Sequence, residues 1–182
     1  MALKVSLYMG LSVDGFVARA DDGLDFLGAS GGGDAGVAQR SFTAFLATVD
    51  VIVMGRRTFE VVHRFGPEGW AYGETPMVVL SRGWTALPPG TRPTVRLGQG
   101  EPAAVLAELE ASGVRHVYVD GASTAQRFLA AGLLTDLVVT YVPVLIGSGI
   151  SAWGALPRDV PVELVGHEVL GGAAMQLHYR VR

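Results

Sequence analysis

Short apolar runs of strand length recur along this chain, most of them cut off by glycine or proline and followed by a stretch of helical spacing. No other feature constrains the fold as strongly. Residues 3–11, 50–54, 76–80, 116–119 and 137–146 read as strands, with 94–97 as a further short one. Residues 37–48 place Val37, Phe42, Phe45 and Leu46 at helical intervals, and Thr58 caps a second helix through residue 63. Residues 101–112 have Pro102 near the start and Gly113 just past the end, the proline-in, glycine-out pattern of a helix; residues 123–131 form another, stopped by Gly132. Residues 160–169 and 174–181 flank Gly171 and Gly172 as a closing hairpin. Strands alternating with helices predict an α/β fold with a mostly parallel central sheet, helices on both faces and an antiparallel C-terminal edge hairpin. Repeats, low-complexity tracts and linkers are absent, so residues 1–182 read as one domain.

Composition narrows the function classes. The chain has no cysteine, which removes disulfides, thiolate zinc sites and a cysteine nucleophile. Its net charge of −3 argues against a nucleic-acid partner, which needs a basic face. A mean hydropathy of +0.37 raises the question of a membrane span. The most apolar stretch, residues 133–150, is interrupted by Asp136 and Pro143, and a span needs about 20 mostly apolar residues. The first residues lack a basic start and a cleavage site, so the expectation is a cytoplasmic protein whose excess apolarity lies in buried strands or a subunit interface.

The chemistry collects where expected strands end. In VMGRRTFE (residues 53–60) a strand ends at Met54, Gly55 permits close backbone approach, and a helix begins behind Arg56 and Arg57. Free N–H groups at a helix start attract phosphate, and guanidinium forks add charge and paired donors. In VLSR (79–82) a strand ends in a hydroxyl and an arginine. In VDGA (119–122) a strand leads to Gly121 and Ala122, with Ser123 and Thr124 opening a helix. Each junction alone reads equally as an ordinary capped turn. Together they predict a nucleotide clamped between two strand–helix junctions at the carboxyl ends of the strands.

These motifs, with SLYMGLSVDGFVA (6–18) and PVLIGSG (143–149), carry a resemblance across nearly the whole chain. The sequence resembles the dihydrofolate reductase-like superfamily, in the branch that includes the C-terminal reductase domain of bacterial riboflavin biosynthesis proteins. The resemblance implies a three-layer α-β-α fold and an NADPH-dependent reductase. It places Gly10 and Val17 beside the nicotinamide, and Gly55, Arg56, Arg57 and Thr58 on the phosphates. It places Ser81 and Arg82 on the adenosine ribose and its 2′-phosphate, with Gly121, Ala122, Ser123 and Thr124 covering the pyrophosphate from the other side. It places Asp120, at the end of a strand, beside the coenzyme, where the riboflavin branch often has Glu. It also implies a homodimer paired through sheet edges, with which the long strand at 137–146 is compatible.

The implied substrate is a small heterocycle or ribosylamino-pyrimidine, with 5-amino-6-(5-phosphoribosylamino)uracil as the specific candidate. Riboflavin reductases of this kind are often fused to an N-terminal deaminase domain, and this chain does not contain one. Dihydrofolate reductase is a second reading, disfavoured because the acid that meets the pterin on the first helix falls near Ala38 or Gln39, with Asp34 before the helix. A non-catalytic NADP-binding dimeric module is a third. Thr140 matches the family's threonine facing the substrate. For proton delivery the candidates are Asp14 and Asp25 in the Gly-rich connection 12–33, which is long enough to act as a lid; both equally suit turns. Trp70 and Tyr72 are candidates to stack on a flat ring. The G-x-G-x-x-A match at residues 147–152 lacks the long helix and downstream acid of a dinucleotide fingerprint. Four scattered histidines predict no metal site.

Overall fold

The computed structural model describes residues 2–28 and 35–182. The strands are β1 (Lys4–Ser12), β2 (Phe16–Ala18), β3 (Val51–Gly55), β4 (Met77–Leu80), β5 (Val95–Gly98), β6 (His116–Asp120), β7 (Asp136–Val142), β8 (Ile150–Ser151), β9 (Val162–Leu170) and β10 (Ala174–Val181). The helices are α1 (Ala35–Leu46), α2 (Arg56–Arg64), α3 (Pro102–Ala111) and α4 (Ala122–Ala130), with a 3-10 turn at Asp25–Gly28. Eight strands form one sheet in the order β5-β4-β3-β6-β1-β7-β10-β9. The pairings are parallel except that β10 runs against both its neighbours, so the closing hairpin is the antiparallel edge the sequence predicts.

The helices divide between the faces because successive side chains on a strand point opposite ways. Val5, Leu7 and Leu11 of β1, Val53 of β3 and Val119 of β6 pack with Leu106 and Leu109 of α3 and Phe128 and Leu129 of α4. On the opposite face Ile52 and Met54 of β3 and Tyr118 of β6 pack with Phe59 of α2, and Phe42 and Phe45 of α1 close over them. The strands of the centre are buried on both faces, which is why they read as continuous apolar runs.

Several boundaries differ from those the sequence predicts. The strand expected over 137–146 ends at Val142, since Pro143 offers no N–H to continue the ladder. It is also interior, between β1 and β10; the sheet edges are β5 and β9. Thr58 is not a helix cap: α2 starts two residues earlier, with Gly55 as N-cap and no side-chain cap bond. Likewise α4 starts at Ala122 behind Gly121, so Ser123 and Thr124 lie within its first turn. The Gly-rich connection holds β2 and the 3-10 turn among its described residues. β2 pairs with β8, which places the G-x-G-x-x-A stretch in a two-stranded sheet rather than at a helix start. A Cβ on Gly149 would strike the carbonyl of Ala18, so a glycine is needed where these strands approach.

Candidate active site

β3 and β6 are adjacent and parallel, with Met54 opposite Asp120, so α2 and α4 begin side by side at the carboxyl edge of the sheet. Their glycine caps interlock. A Cβ on Gly55 would lie 2.7 Å from the Thr124 hydroxyl, and one on Gly121 would collide with the Thr58 hydroxyl. Gly121 also has φ +87°, a backbone region that favours glycine. The two loops from which the sequence builds a phosphate clamp are therefore in direct contact.

A cleft of about 350 Å³ opens beside this junction. It brings together Gly10, Val17, Arg57, Thr58, Asp120, Gly121, Ala122 and Ser123 of the sequence-derived set. Gly10 leaves room that any side chain would take from Leu27, 3.0 Å from a built Cβ. Gly55, Arg56, Ser81, Arg82 and Thr124 do not line this cleft. Thr124 is buried behind Gly55, and Arg56 lies 5.9 Å from the Trp84 ring and 3.6 Å from Glu60. The Ser81 hydroxyl accepts the N–H groups of Gly83 and Trp84, holding the turn after β4. Arg82 and Arg127 each donate to one oxygen of Glu101, at 2.9 and 3.0 Å.

The carboxylates sort by their neighbours. Neither Asp14 nor Asp25 lines the cleft. Asp14 accepts the backbone N–H groups of Ile146 (3.2 Å) and Gly147 (2.7 Å), tying the end of β1 to the PVLIGSG loop. A hydrogen bond from Ser12 and those two amides hold its carboxyl below the usual range. Asp25 is exposed and takes both arms of the Arg19 fork, at 2.7 and 2.8 Å, which lowers its pKa as well. Two carboxyls held in the ionised form have no proton to give at neutral pH. Both are thus placed as loop braces rather than as the proton donors the sequence offers.

Asp120 is the opposite case. It ends β6 inside the cleft, accepting the Tyr72 hydroxyl at 2.6 Å and the Gly121 N–H at 2.7 Å. The Tyr118 hydroxyl reaches it and also the carbonyl of Tyr8 (3.1 Å). Burial raises its pKa, and the hydrogen bonds from Tyr72, Tyr118 and Gly121 offset that only in part. The tyrosines come from β6 and the loop before β4, and their rings pack around Phe42 of α1. From the sequence, Asp120 is a neighbour of the coenzyme; the tertiary packing makes it a buried carboxyl of raised pKa in the cleft wall.

Thr140 sits opposite Gly10 but is engaged elsewhere. Gln176, fully buried on β10, donates to the Thr140 hydroxyl (2.8 Å) and the Tyr8 hydroxyl (2.9 Å), and accepts from Ser41 (3.0 Å). α1 carries no acidic residue from Ala35 to Leu46, and Ser41, not a carboxylate, is its link to Thr140 through Gln176. Asp34, the nearest acid in sequence, lies outside the described residues. Tyr72 lines the cleft, whereas Trp70 does not: its indole N–H donates to the carbonyl of Gly73, and the ring braces Tyr72. Asp22, Tyr8 and Tyr118, which are not among the candidates above, also line the cleft. The two strand tyrosines follow from alternation, since Tyr8 and Tyr118 stand out of phase with the aliphatic residues around them.

Comparison with known proteins bears on this arrangement. A crystal structure of a protein ascribed to riboflavin biosynthesis in Shewanella sp. PV-4 superposes with a TM-score of 0.88, at 31% identity, covering 100% of this chain and 99% of that one. The uncharacterised protein YwjB of Bacillus subtilis is 28% identical over 182 residues, 98% of each chain. RibD of Acinetobacter baumannii shares the fold (TM-score 0.74, 16% identity), this chain matching 58% of its length. The model of the RibD C-terminal domain matches residues 3–175, a span that contains the interlocked caps, the cleft and its three tyrosines, and on that match the chain belongs to the RibD C-terminal domain family of reductases.

Proposed function

We propose that the chain is an NADPH-dependent reductase that transfers a hydride to a small heterocyclic or ribosylamino-pyrimidine substrate, with 5-amino-6-(5-phosphoribosylamino)uracil as the first compound to try. The observation that carries this reading is the cleft between the starts of α2 and α4, with Asp120 as a raised-pKa carboxyl in its wall. The residues present fit the coenzyme. The two helix starts lie side by side at the carboxyl edge of the sheet, Arg57 adds a cation, and Gly10 and Gly121 line the cleft with backbone that carries no side chain. NADPH, when bound, supplies the hydride to an electrophilic carbon of a C=N or C=O bond.

The protein's own part is positioning and a proton. Arg57, Thr58 and the amides of Ala122 and Ser123 would hold phosphate oxygens. Gly10, Val17 and Leu27 would wall the ring end, and β2 with the turn behind it would limit entry of water. Asp120 is placed to give the proton that the reduced nitrogen or oxygen requires, with Tyr72 and Tyr118 steadying the carboxylate left behind. Folate reduction is the weaker reading, because the described α1 offers a pterin no carboxylate. On this reading the enzyme is biosynthetic and works in the cytoplasm; none of the described helices is long and apolar enough to cross a membrane. The same reading makes the protein a homodimer, joined at the β9 edge.

The test is calorimetric titration of the purified protein with NADPH and NADH, followed by NADPH oxidation in the presence of the uracil compound or dihydrofolate. Tighter binding of NADPH than of NADH, and turnover of the uracil compound, are expected. Turnover of dihydrofolate alone would move the assignment to folate reduction. Binding without turnover across a broad set would make the chain a coenzyme-binding module, and no binding of either coenzyme would end the proposal.

A further inference from the structure

Among the described residues lining the cleft, Arg57 is the one cation, and it is already taken. Its Nε and Nη2 atoms both meet Oδ1 of Asp22, at 3.0 and 2.9 Å. Asp22 also lines the cleft, on the turn that follows β2, so the pair bridges this turn and the first turn of α2. The Asp22 side chain is the more buried partner, 23% exposed against 66% for Arg57.

The turn does not need this contact to keep its shape. The Arg19 N–H donates to the Gly23 carbonyl, the Asp22 N–H to the Arg19 carbonyl, and the Gly23 N–H to the Asp21 carboxylate. Arg19 and Asp25 close it with their two-armed ion pair. Asp22 has φ +69°, a left-handed backbone that Asn and Gly adopt at least as readily. Local conformation therefore leaves the negative charge unexplained, whereas the position of Arg57 explains it.

We propose that Asp22 is an internal competitor for anionic ligands: its carboxylate holds Arg57 across the cleft until a phosphate of the coenzyme takes its place, so Asp22 sets how tightly and with what salt dependence the cleft binds a pyrophosphate. This rests on the coenzyme reading above and adds to it a residue that weakens binding. When the phosphate takes Arg57, the turn loses its ion pair to α2 and keeps the hydrogen bonds and the Arg19–Asp25 pair that hold its shape. The exchange involves no covalent change. Its size is that of a largely exposed ion pair, which corresponds to about a three- to fivefold change in affinity.

The experiment titrates NADPH into the wild-type protein, Asp22→Asn and Asp22→Gly at low and at high salt, with inorganic pyrophosphate as a competing probe. Both substitutions suit the backbone, so circular dichroism should show intact folds. Removing the competitor leaves Arg57 unneutralised. Both variants should then bind NADPH and pyrophosphate about three- to fivefold tighter at low salt. Their affinity should fall more steeply with added salt than that of the wild type, because one more unpaired charge is screened. Variants that bind equally or more weakly than a binding-competent wild type overturn the inference and leave the coenzyme reading standing. Tighter binding with an unchanged salt dependence overturns it as well, since uncharged loosening of the turn would account for that. If neither wild type nor variants bind NADPH, both readings fall together.

Discussion

Asp14 and Asp120 show what decides the role of a single carboxyl. Each is followed by glycine where a strand gives way to a turn, and local sequence does not distinguish them. Asp14 meets two amides of a distant loop and ionises easily; Asp120 is buried in a low-dielectric wall and ionises with difficulty even though tyrosine hydroxyls steady its charge. A raised carboxyl pKa keeps the proton on below it and loses it as pH rises through it, so activity that needs the proton should fall as pH rises through the folded-state value. Asp120→Asn keeps the shape and removes the proton. It should lower kcat by about 10²- to 10⁴-fold and abolish that limb of the kcat/KM profile while NADPH affinity changes little. Tyr72→Phe removes a donor that favours the carboxylate, so the limb should move to higher pH in a steady-state profile. An unchanged profile in both variants would exclude Asp120 as the proton source.

The helices α2 and α4 carry the lesson at the scale of elements. Hydroxyl residues commonly cap helices, so the sequence predicts starts at Thr58 and Ser123. Both helices start earlier, behind glycines, because the two starts pack against each other and leave no space for a cap side chain. The two glycines differ in kind. Gly55 has φ −80°, ordinary for any residue, and its sole close neighbour is the Thr124 hydroxyl. Gly55→Ala should destabilise by about 1–3 kcal/mol, the size of an overpacked core site, and Thr124→Ala should recover most of it. Gly121→Ala adds left-handed strain of about 1–3 kcal/mol to its collision with Thr58, so Thr58→Ala should recover only part. Denaturant melts of the two double-mutant cycles measure the difference. The closing hairpin and α3, by contrast, were readable in advance: Gly171, Gly172, Pro102 and Gly113 act through backbone geometry that a few neighbouring residues define.

At the scale of the molecule the informative feature is β9. It is nine residues long, lies at the sheet edge, and leaves Val162, Leu164, Val165 and Val169 exposed, at 44%, 52%, 48% and 58%. An edge of unpaired backbone groups with apolar side chains invites a partner, and it accounts for part of the high hydropathy. The opposite edge, β5, has four residues and bears Arg96. The proposed homodimer therefore pairs through β9 rather than through the apolar run at 137–146, whose strand lies inside the sheet. Light scattering should find a dimer of the wild type and a folded monomer of Leu164→Glu; a monomeric wild type would sink the pairing.

The sequence by itself determined the alternation of strands and helices, the closing hairpin and the two glycine-marked junctions, because each depends on periodicity or backbone conformation within a few residues. Only the tertiary structure decided the strand order that sets α2 beside α4, the burial that raises one aspartate and leaves another ionised, and the meeting of Asp22 with Arg57. Those depend on dielectric and distance between residues far apart in the chain, and neither quantity is defined until the sheet has closed around them.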